Sequence, residues 1–286
     1  MQWLREGNAN LKFFHSIMSG KHRRNAIQFF MVEGVLIEGV DKVRATVFSH
    51  FSSHFQSRRL NRPSMDGIQF RSLSHQQGTG LIKPFSVEEV KAVVWDCDNY
   101  KCSGPDGISF ENLQRLIDFR HISLVSSMYK ILAKILANRL RLVIGSLISD
   151  SQSAFIKGCQ ILDGILVANE VVDEARKCKK ELILFKVDFE KAYDSVDWNH
   201  LCEVMVKMGL PTLWHKWIKE CIGAATASVL VNGSPADEFP LERGLRQGDP
   251  LSAFLFLLAA EGFHVLMHSL SESNLFFGYK VGRSNF

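Results

Sequence analysis

Apolar residues recur at helical spacing over Leu124–Ile144, where Leu124, Met128, Ile131, Leu132, Ile135, Leu136, Leu140 and Val143 fall on one stripe. The spacing predicts a long helix, with Lys130, Lys134 and Arg141 together on another of its faces. A shorter helix is expected after Ser86, which pairs with Glu89 as a capping box ahead of Val87, Val90, Val93 and Val94. Asp197 can cap a third, built on Leu201, Val204, Met205 and Met208 and ended by Gly209 and Pro211. Leu251–Ala260 is an apolar run too short to span a bilayer and reads as a core helix, with Asp249 as its cap and Pro250 in its first turn.

Two segments read as strands. Leu182–Val187 is a continuous apolar run that gives way to polar residues at Asp188, the pattern of a buried strand ending in a carboxylate. Ser228–Val231, Asn232-Gly233 and Glu238–Leu241 read as a β-hairpin, since Asn-Gly suits a type I′ turn. Gly104-Pro105-Asp106-Gly107 is a turn by composition, and Ser72–Thr79 is expected to be a linker. Residues 1–80 look polar and irregular, with a basic cluster over Lys21–Arg24. The class predicted is α+β, a mixed sheet with helices packed on it.

Composition narrows this little. A chain of 286 residues with 46% hydrophobic and 22% charged residues is not disordered throughout and can bury a sizeable core. Net charge of +4 and pI near 8.7 fit a nucleic-acid partner without requiring one. Cys97, Cys102, Cys159, Cys178, Cys202 and Cys221 form no C-x-x-C pair, so reduced and mostly buried thiols of an intracellular protein are expected. With Arg5 and Glu6 and no apolar run at the N-terminus, neither a signal peptide nor a membrane partner is expected.

The chemistry concentrates in FKVDFEKAYDSVDW (Phe185–Trp198) and RGLRQGDPLSAFLF (Arg243–Phe256). A carboxylate at a strand end followed by an aromatic, Tyr193, suits a divalent metal held beside a sugar. The second stretch is a glycine-rich turn leading into a helix, where backbone N–H groups can face a ligand. Either feature alone has a plain structural alternative: Asp188 as a cap, Tyr193 as a core aromatic, and the glycines as an ordinary turn.

In this order the two stretches resemble the central motifs of reverse transcriptases. The resemblance runs along nearly the whole chain and points to the LINE-type (non-LTR) retrotransposon polymerases of plants. WLREGNANLKFFHSIMSGKHRRNAI (Trp3–Ile27) is similar to the segment that precedes their polymerase. KCSGPDGIS (Lys101–Ser109) resembles their fingers motif, RHISLVSSMYKILAKILANRLR (Arg120–Arg141) their R-P-I-S-L and following helix, and QSAFIKGCQILDG (Gln152–Gly164) the next motif. His121, Ser103, Cys159 and Ala253 depart from the family pattern.

The resemblance implies an α+β right-hand fold, with a linker region over residues 1–80, fingers over about 81–165 and palm over about 166–286. It implies an Mg²⁺-dependent RNA-directed DNA polymerase acting on an RNA template, a DNA primer and deoxynucleoside triphosphates. Such enzymes use two ions roughly 3.5–4 Å apart for in-line phosphoryl transfer. By resemblance, Asp188 is the first metal carboxylate and catalytic, and the Phe189 carbonyl is a further ligand beside the nucleotide. Tyr193 meets the nucleotide sugar, Gln247 and Gly248 contact the incoming nucleotide, and Arg120 grips its triphosphate. Lys130, Lys134 and Arg141 face template–primer, where periodicity alone would leave them a solvated face.

Two family features are not found. No adjacent Asp-Asp pair occurs in the 286 residues, whereas the family places one shortly after the stretch that reads FFGYKVGRSNF here. Ile117-Asp118-Phe119-Arg120 runs directly into the R-x-I-S-L motif, where relatives insert further fingers strands and a lysine. One metal carboxylate does not hold two ions, so the expectation is a defective or mis-spliced copy, inactive alone. The alternative function is a non-catalytic remnant that only binds nucleic acid.

Overall fold

The computed structural model describes residues 19–20, 26–32, 34–57, 62, 64–96, 127–156, 158, 160–189, 191–223, 226–275 and 277–281. Their elements are β1 (Phe29–Val32), β2 (Val35–Glu38), α1 (Val40–Phe55), α2 (His75–Leu81), α3 (Val87–Trp95), α4 (Ser127–Leu147), α5 (Ile161–Cys178), α6 (Trp198–Lys207), α7 (Thr212–Gly223), β3 (Thr226–Ala227), β4 (Leu230–Val231), β5 (Ser234–Pro235), β6 (Phe239–Pro240) and α8 (Ser252–Glu272). Helices with short antiparallel ladders make the class α+β. Two compact units result, one drawn from residues up to 56 with 225–241, the other from 57–98, 122–224 and 242–286.

The first unit holds every ladder found among the described residues. β1 and β2 pair as a hairpin with Val32 opposite Val35, and α1 buries Val43, Val47, Phe51 and Phe55, spaced four apart, among Phe30, Val231 and Phe239. Asn232 and Gly233 take φ of 53° and 79°, the signs a type I′ turn requires. The strand after the turn is not Glu238–Leu241, however. A two-residue turn sets register at once, so Val231 faces Ser234, while Phe239 pairs farther out with Ala227 and is buried there. Asn232 also exchanges both of its amide bonds with Ile27, at 2.7 and 2.9 Å, tying the turn to the start of the hairpin unit.

The second unit is helical among its described residues. α4 runs through its core and buries Ala133, Leu136, Ala137, Leu140, Ile144 and Leu147. Met128 departs from the predicted stripe and is exposed, and Leu124 lies outside the described residues, as does Gly104–Gly107. Arg139, on the same helix, is buried. Its guanidinium donates to both Glu89 carboxylate oxygens at 2.8 and 2.7 Å and to the carbonyls of Leu81, Lys83 and Pro84. That pairing explains why α3 keeps only half of its capping box. Ser86 Oγ accepts from Glu89 N, but the Glu89 carboxylate turns to Arg139.

The expected linker at Ser72–Thr79 is instead the start of α2. Ser74 Oγ accepts from Gln77 N while Gln77 Oε1 accepts from Ser74 N, a reciprocal box that outweighs the two glycines inside the helix. With β1, β2 and α1 this also replaces the irregular chain expected up to residue 80 in its described part. α6 is capped as predicted: Asp197 Oδ1 accepts from His200 N at 2.9 Å, and Gly209 closes the end at φ 69°. Asp249 Oδ1 accepts from Leu251 N at 2.8 Å, and α8 begins one residue later. α8 is long and apolar enough to cross a membrane by length and composition, but Phe254, Leu255, Leu257, Leu258 and Ala259 lie in the core.

The predicted strand at Leu182–Val187 is not formed. The backbone there is irregular, and Ile183, Leu184 and Phe185 are exposed. A strand is held by ladder bonds to a neighbour, and no described residue of the helical unit supplies one. The sheet with packed helices is likewise replaced by separate two-stranded ladders among the described residues. Of the three described cysteines, all free, only Cys221 is buried; Cys202 is half-buried and Cys178 exposed, against the expectation of mostly buried thiols.

Candidate functional site

Asp188 and the glycine-rich turn belong to the same unit, and the backbone joins the stretches that carry them. Leu245 N donates to Tyr193 O at 2.8 Å, and Gly244 N donates to Val196 O at 2.7 Å. The Trp198 indole N–H closes the junction with a 2.7 Å bond to Gly244 O. Gly244 takes φ 85°, which turns its N–H and C=O toward these partners at little steric cost.

Aromatic packing then brings the Asp188 end against α8. The Phe189 ring meets Phe256 and Phe263 edge-on at 6.3 and 6.4 Å, and the Tyr193 ring meets Phe256 edge-on at 5.5 Å. Phe256 is thus shared by the two aromatics that follow Asp188. Burial raises the Tyr193 hydroxyl above its ordinary pKa, so it stays protonated as a donor at neutral pH. Asp188 itself is exposed, whereas Asp194 is buried.

The turn ends in a polar cluster. Asp249 is buried, accepts the Tyr129 hydroxyl at 2.5 Å, and caps the entry to α8. The Arg246 guanidinium lies 4.4 Å from the centre of the Tyr129 ring. Burial, then the Asp249 charge, pushes the Tyr129 hydroxyl far up, and burial pushes the nearby Cys221 thiol up to about 11. Between these anchors Gln247 is half-buried and Gly248 is exposed at φ 88°. Sequence reasoning missed Tyr129 in this role. Its place on the expected helix of the R-x-I-S-L motif was the available signal, but nothing local pairs it with Asp249.

Of the basic face on α4, Lys130 is exposed, Lys134 is held by Asp96 at 2.7 Å, and the Arg141 guanidinium lies 5.6 Å from the Phe254 ring centre. Arg120 and the Lys101–Ser109 motif lie outside the described residues. Among the described residues, no three His, Cys, Asp or Glu side chains come together in a way that could hold a metal ion. Those residues do not by themselves make up the donor set of a two-metal centre, which needs several hard oxygen ligands.

A family model described as reverse transcriptase (RNA-dependent DNA polymerase) matches residues 112–277. The transposon TX1 uncharacterized 149 kDa protein of Xenopus laevis is 24% identical over 314 aligned residues, covering 93% of this chain and 24% of that protein. The Pol polyprotein of a type-1 retrotransposable element R2 from Popillia japonica is 29% identical over 51% of this chain and 20% of its own length. Its counterpart from the type-2 element R2DM of Drosophila melanogaster is 28% identical over 58% of this chain and 15% of its own. The chain therefore spans about a quarter or less of the length of these relatives.

Proposed function

This chain belongs to the reverse transcriptase (RNA-dependent DNA polymerase) family, in its non-LTR retrotransposon branch, and we propose that it carries the metal-carboxylate and nucleotide-facing parts of an RNA-directed DNA polymerase. In this reading a linker region covers residues 1–80, fingers cover about 81–165 and palm about 166–286. The observation that carries it is the pair of backbone bonds from Leu245 to Tyr193 and from Gly244 to Val196. They join the stretch that follows Asp188 to the turn that holds Gln247 and Gly248.

Each group has a task that fits its setting. The exposed Asp188 carboxylate and the Phe189 carbonyl offer hard oxygens to a divalent ion, Mg²⁺ in this family, whose charge would offset that of a triphosphate. Tyr193, held against Phe256, presents an aromatic face to a nucleotide sugar. Gly248 carries no side chain that would block a nucleotide, and Gln247 beside it can donate and accept. Arg120 is assigned to the triphosphate, where a planar fork suits phosphate. Lys130 and Arg141, with Lys134 partly neutralised by Asp96, are assigned to the phosphates of an RNA template and DNA primer.

A second reading rests on the described residues, among which no donor cluster is found. Because no described set of three acidic, His or Cys groups could hold a metal, we propose that these 286 residues by themselves bind template–primer without extending it. The test is primer extension on poly(A)–oligo(dT) with Mg²⁺ and labelled dTTP, beside an Asp188→Ala control, with binding followed by fluorescence anisotropy. Binding that weakens with salt and no extension is expected. Extension that vanishes in Asp188→Ala would overturn the inactivity and leave the polymerase assignment standing. A folded chain that binds no template–primer at low salt would sink both.

A further inference from the structure

Gln247 and Gly248 are the two central residues of a β-turn. Asp249 N donates to Arg246 O at 3.4 Å across it, and Gly248 takes φ 88°, the sign that the third residue of a type II turn requires. Little within the turn holds that shape. The closing bond is long for N–H···O, and a Cβ at Gly248 would meet nothing within 4 Å, so the glycine stands in open space. Glycine takes left- and right-handed backbone with similar ease, so its conformation has to be imposed by its neighbours.

One side chain reaches both corners of the turn. Tyr129 on α4 donates its hydroxyl to Asp249 Oδ2 at 2.5 Å, and the centre of its ring lies 4.4 Å from the Arg246 guanidinium. Asp249 is buried and its Oδ1 accepts from Leu251 N, so the carboxylate that meets the phenol is already fixed to the start of α8. Arg246 and Asp249 are thus set against a single group on another helix, and the two residues between them have both ends held. Burial and the Asp249 charge keep the phenol protonated, so the donor is present across the neutral range.

We propose that Tyr129 is a positioning residue for the incoming nucleotide: by holding Arg246 and Asp249 it fixes the Gln247 side chain and the Gly248 backbone where the nucleotide meets them. This role rests on the reading of Gln247 and Gly248 as nucleotide-facing, and Tyr129 itself touches no reacting atom. A tyrosine that only stabilised the fold would loosen α4 and α8 together when removed. A positioning one makes its absence felt first in the turn.

Two measurements on the full chain separate these, with Glu89→Gln as a control that loosens α4 at Arg139 instead. Amide exchange followed by mass spectrometry reads the turn directly. Tyr129→Phe keeps the ring against Arg246 but removes the bond to Asp249. Exchange at Gln247 and Gly248 should then rise about tenfold beyond that of the α4 and α8 core, the scale of one hydrogen bond to a charged group. In Glu89→Gln the turn should stay in step with the core. Equilibrium dialysis of labelled dTTP, with the chain bound to poly(A)–oligo(dT) in Mg²⁺, reads the consequence. The Kd for dTTP should rise about tenfold in Tyr129→Phe, with template–primer affinity unchanged, and should stay at wild type in Glu89→Gln.

Unchanged turn exchange in a folded Tyr129→Phe chain, or the same rise in Glu89→Gln, would overturn the proposal. A loosened turn with wild-type dTTP affinity would overturn it too. A wild-type chain that holds template–primer but no dTTP would sink the nucleotide-facing reading and this role with it, even where exchange still shows the turn held by Tyr129.

Discussion

Tyr129 donates its hydroxyl to the buried Asp249 carboxylate at 2.5 Å, across 120 residues of chain. The bond ties α4 to the entry of α8 directly beside Gln247 and Gly248. Asp249 spends its other oxygen on Leu251 N, so removing the phenol leaves a buried carboxylate oxygen short of a donor. Tyr129→Phe should therefore cost about 1.5–3 kcal/mol, the range for hydrogen bonds to charged groups. A lower midpoint of urea unfolding at unchanged slope is the expected result, and an unchanged midpoint would show the bond contributes nothing.

Arg139 is another long-range tie of α4. Its guanidinium serves both Glu89 oxygens and three carbonyls, and stacks 4.5 Å from the Phe85 ring centre. Arg139→Met should cost about 3 kcal/mol, because it strands the Glu89 carboxylate and those carbonyls together. Glu89→Gln should cost less, since the carbonyl bonds persist. The Arg139 hydrogen bond holds the Glu89 carboxyl below its ordinary range. Its contribution is thus present above the ordinary carboxylate pKa and is lost as pH falls through the lowered one. The stability gap between wild type and Glu89→Gln should therefore close as pH falls, and a gap in urea midpoint that widens toward acid would contradict this.

Elements that close on themselves were legible in the sequence. Asp197 caps α6, Ser86 caps α3, and Asn232-Gly233 makes its turn because each needs only groups within a few residues. Leu182–Val187 was not legible, since a strand depends on a neighbour that lies elsewhere in the chain. Helical periodicity placed Leu136 and Leu140 correctly but carried no sign of the buried Arg139, because a buried guanidinium is betrayed only by distant carbonyls. At the candidate site, the order of the two motif stretches was readable. Their contact through Tyr193 and Leu245, and the Tyr129–Asp249 bond behind it, were not.

Two helical glycines should respond to alanine with opposite sign. Nothing lies within 4 Å of a Cβ at Gly145 on the exposed side of α4, so Gly145→Ala should stabilise the chain by about 0.5–1 kcal/mol through helix propensity. A Cβ at Gly262 on α8 would stand 2.9 Å from His200 Cε1 and 3.0 Å from Val204 Cγ2 of α6. His200 Nε2 lies 3.0 Å from Ala259 O, which restrains the ring from moving aside. Overpacking costs about 1–3 kcal/mol and exceeds the propensity gain, so Gly262→Ala should lower the melting temperature while Gly145→Ala raises it. Equal shifts of one sign would show that α6 and α8 do not pack as closely as this.

Glu261 places a carboxylate inside the α8 core, where its Oε1 accepts from Ser149 N at 3.0 Å and its Oε2 from Ser149 Oγ at 3.4 Å. Burial raises its pKa above the ordinary carboxylate value, and the charges of His264 and Arg71 with the Ser149 bonds offset only part of that rise. A raised folded pKa means the native state binds the proton more tightly than the unfolded chain does. Stability from this group is therefore full below the unfolded pKa and is lost as pH rises through the folded one. Glu261→Gln keeps an acceptor for Ser149 N and removes the titration. Urea midpoints of wild type and variant should draw together as pH falls from about 7 toward about 4, with the variant gaining relative to wild type at the upper end. A wild-type advantage that grows with pH over the same range would reverse the sign of the burial effect, and would mean that Glu261 is stabilised as the anion.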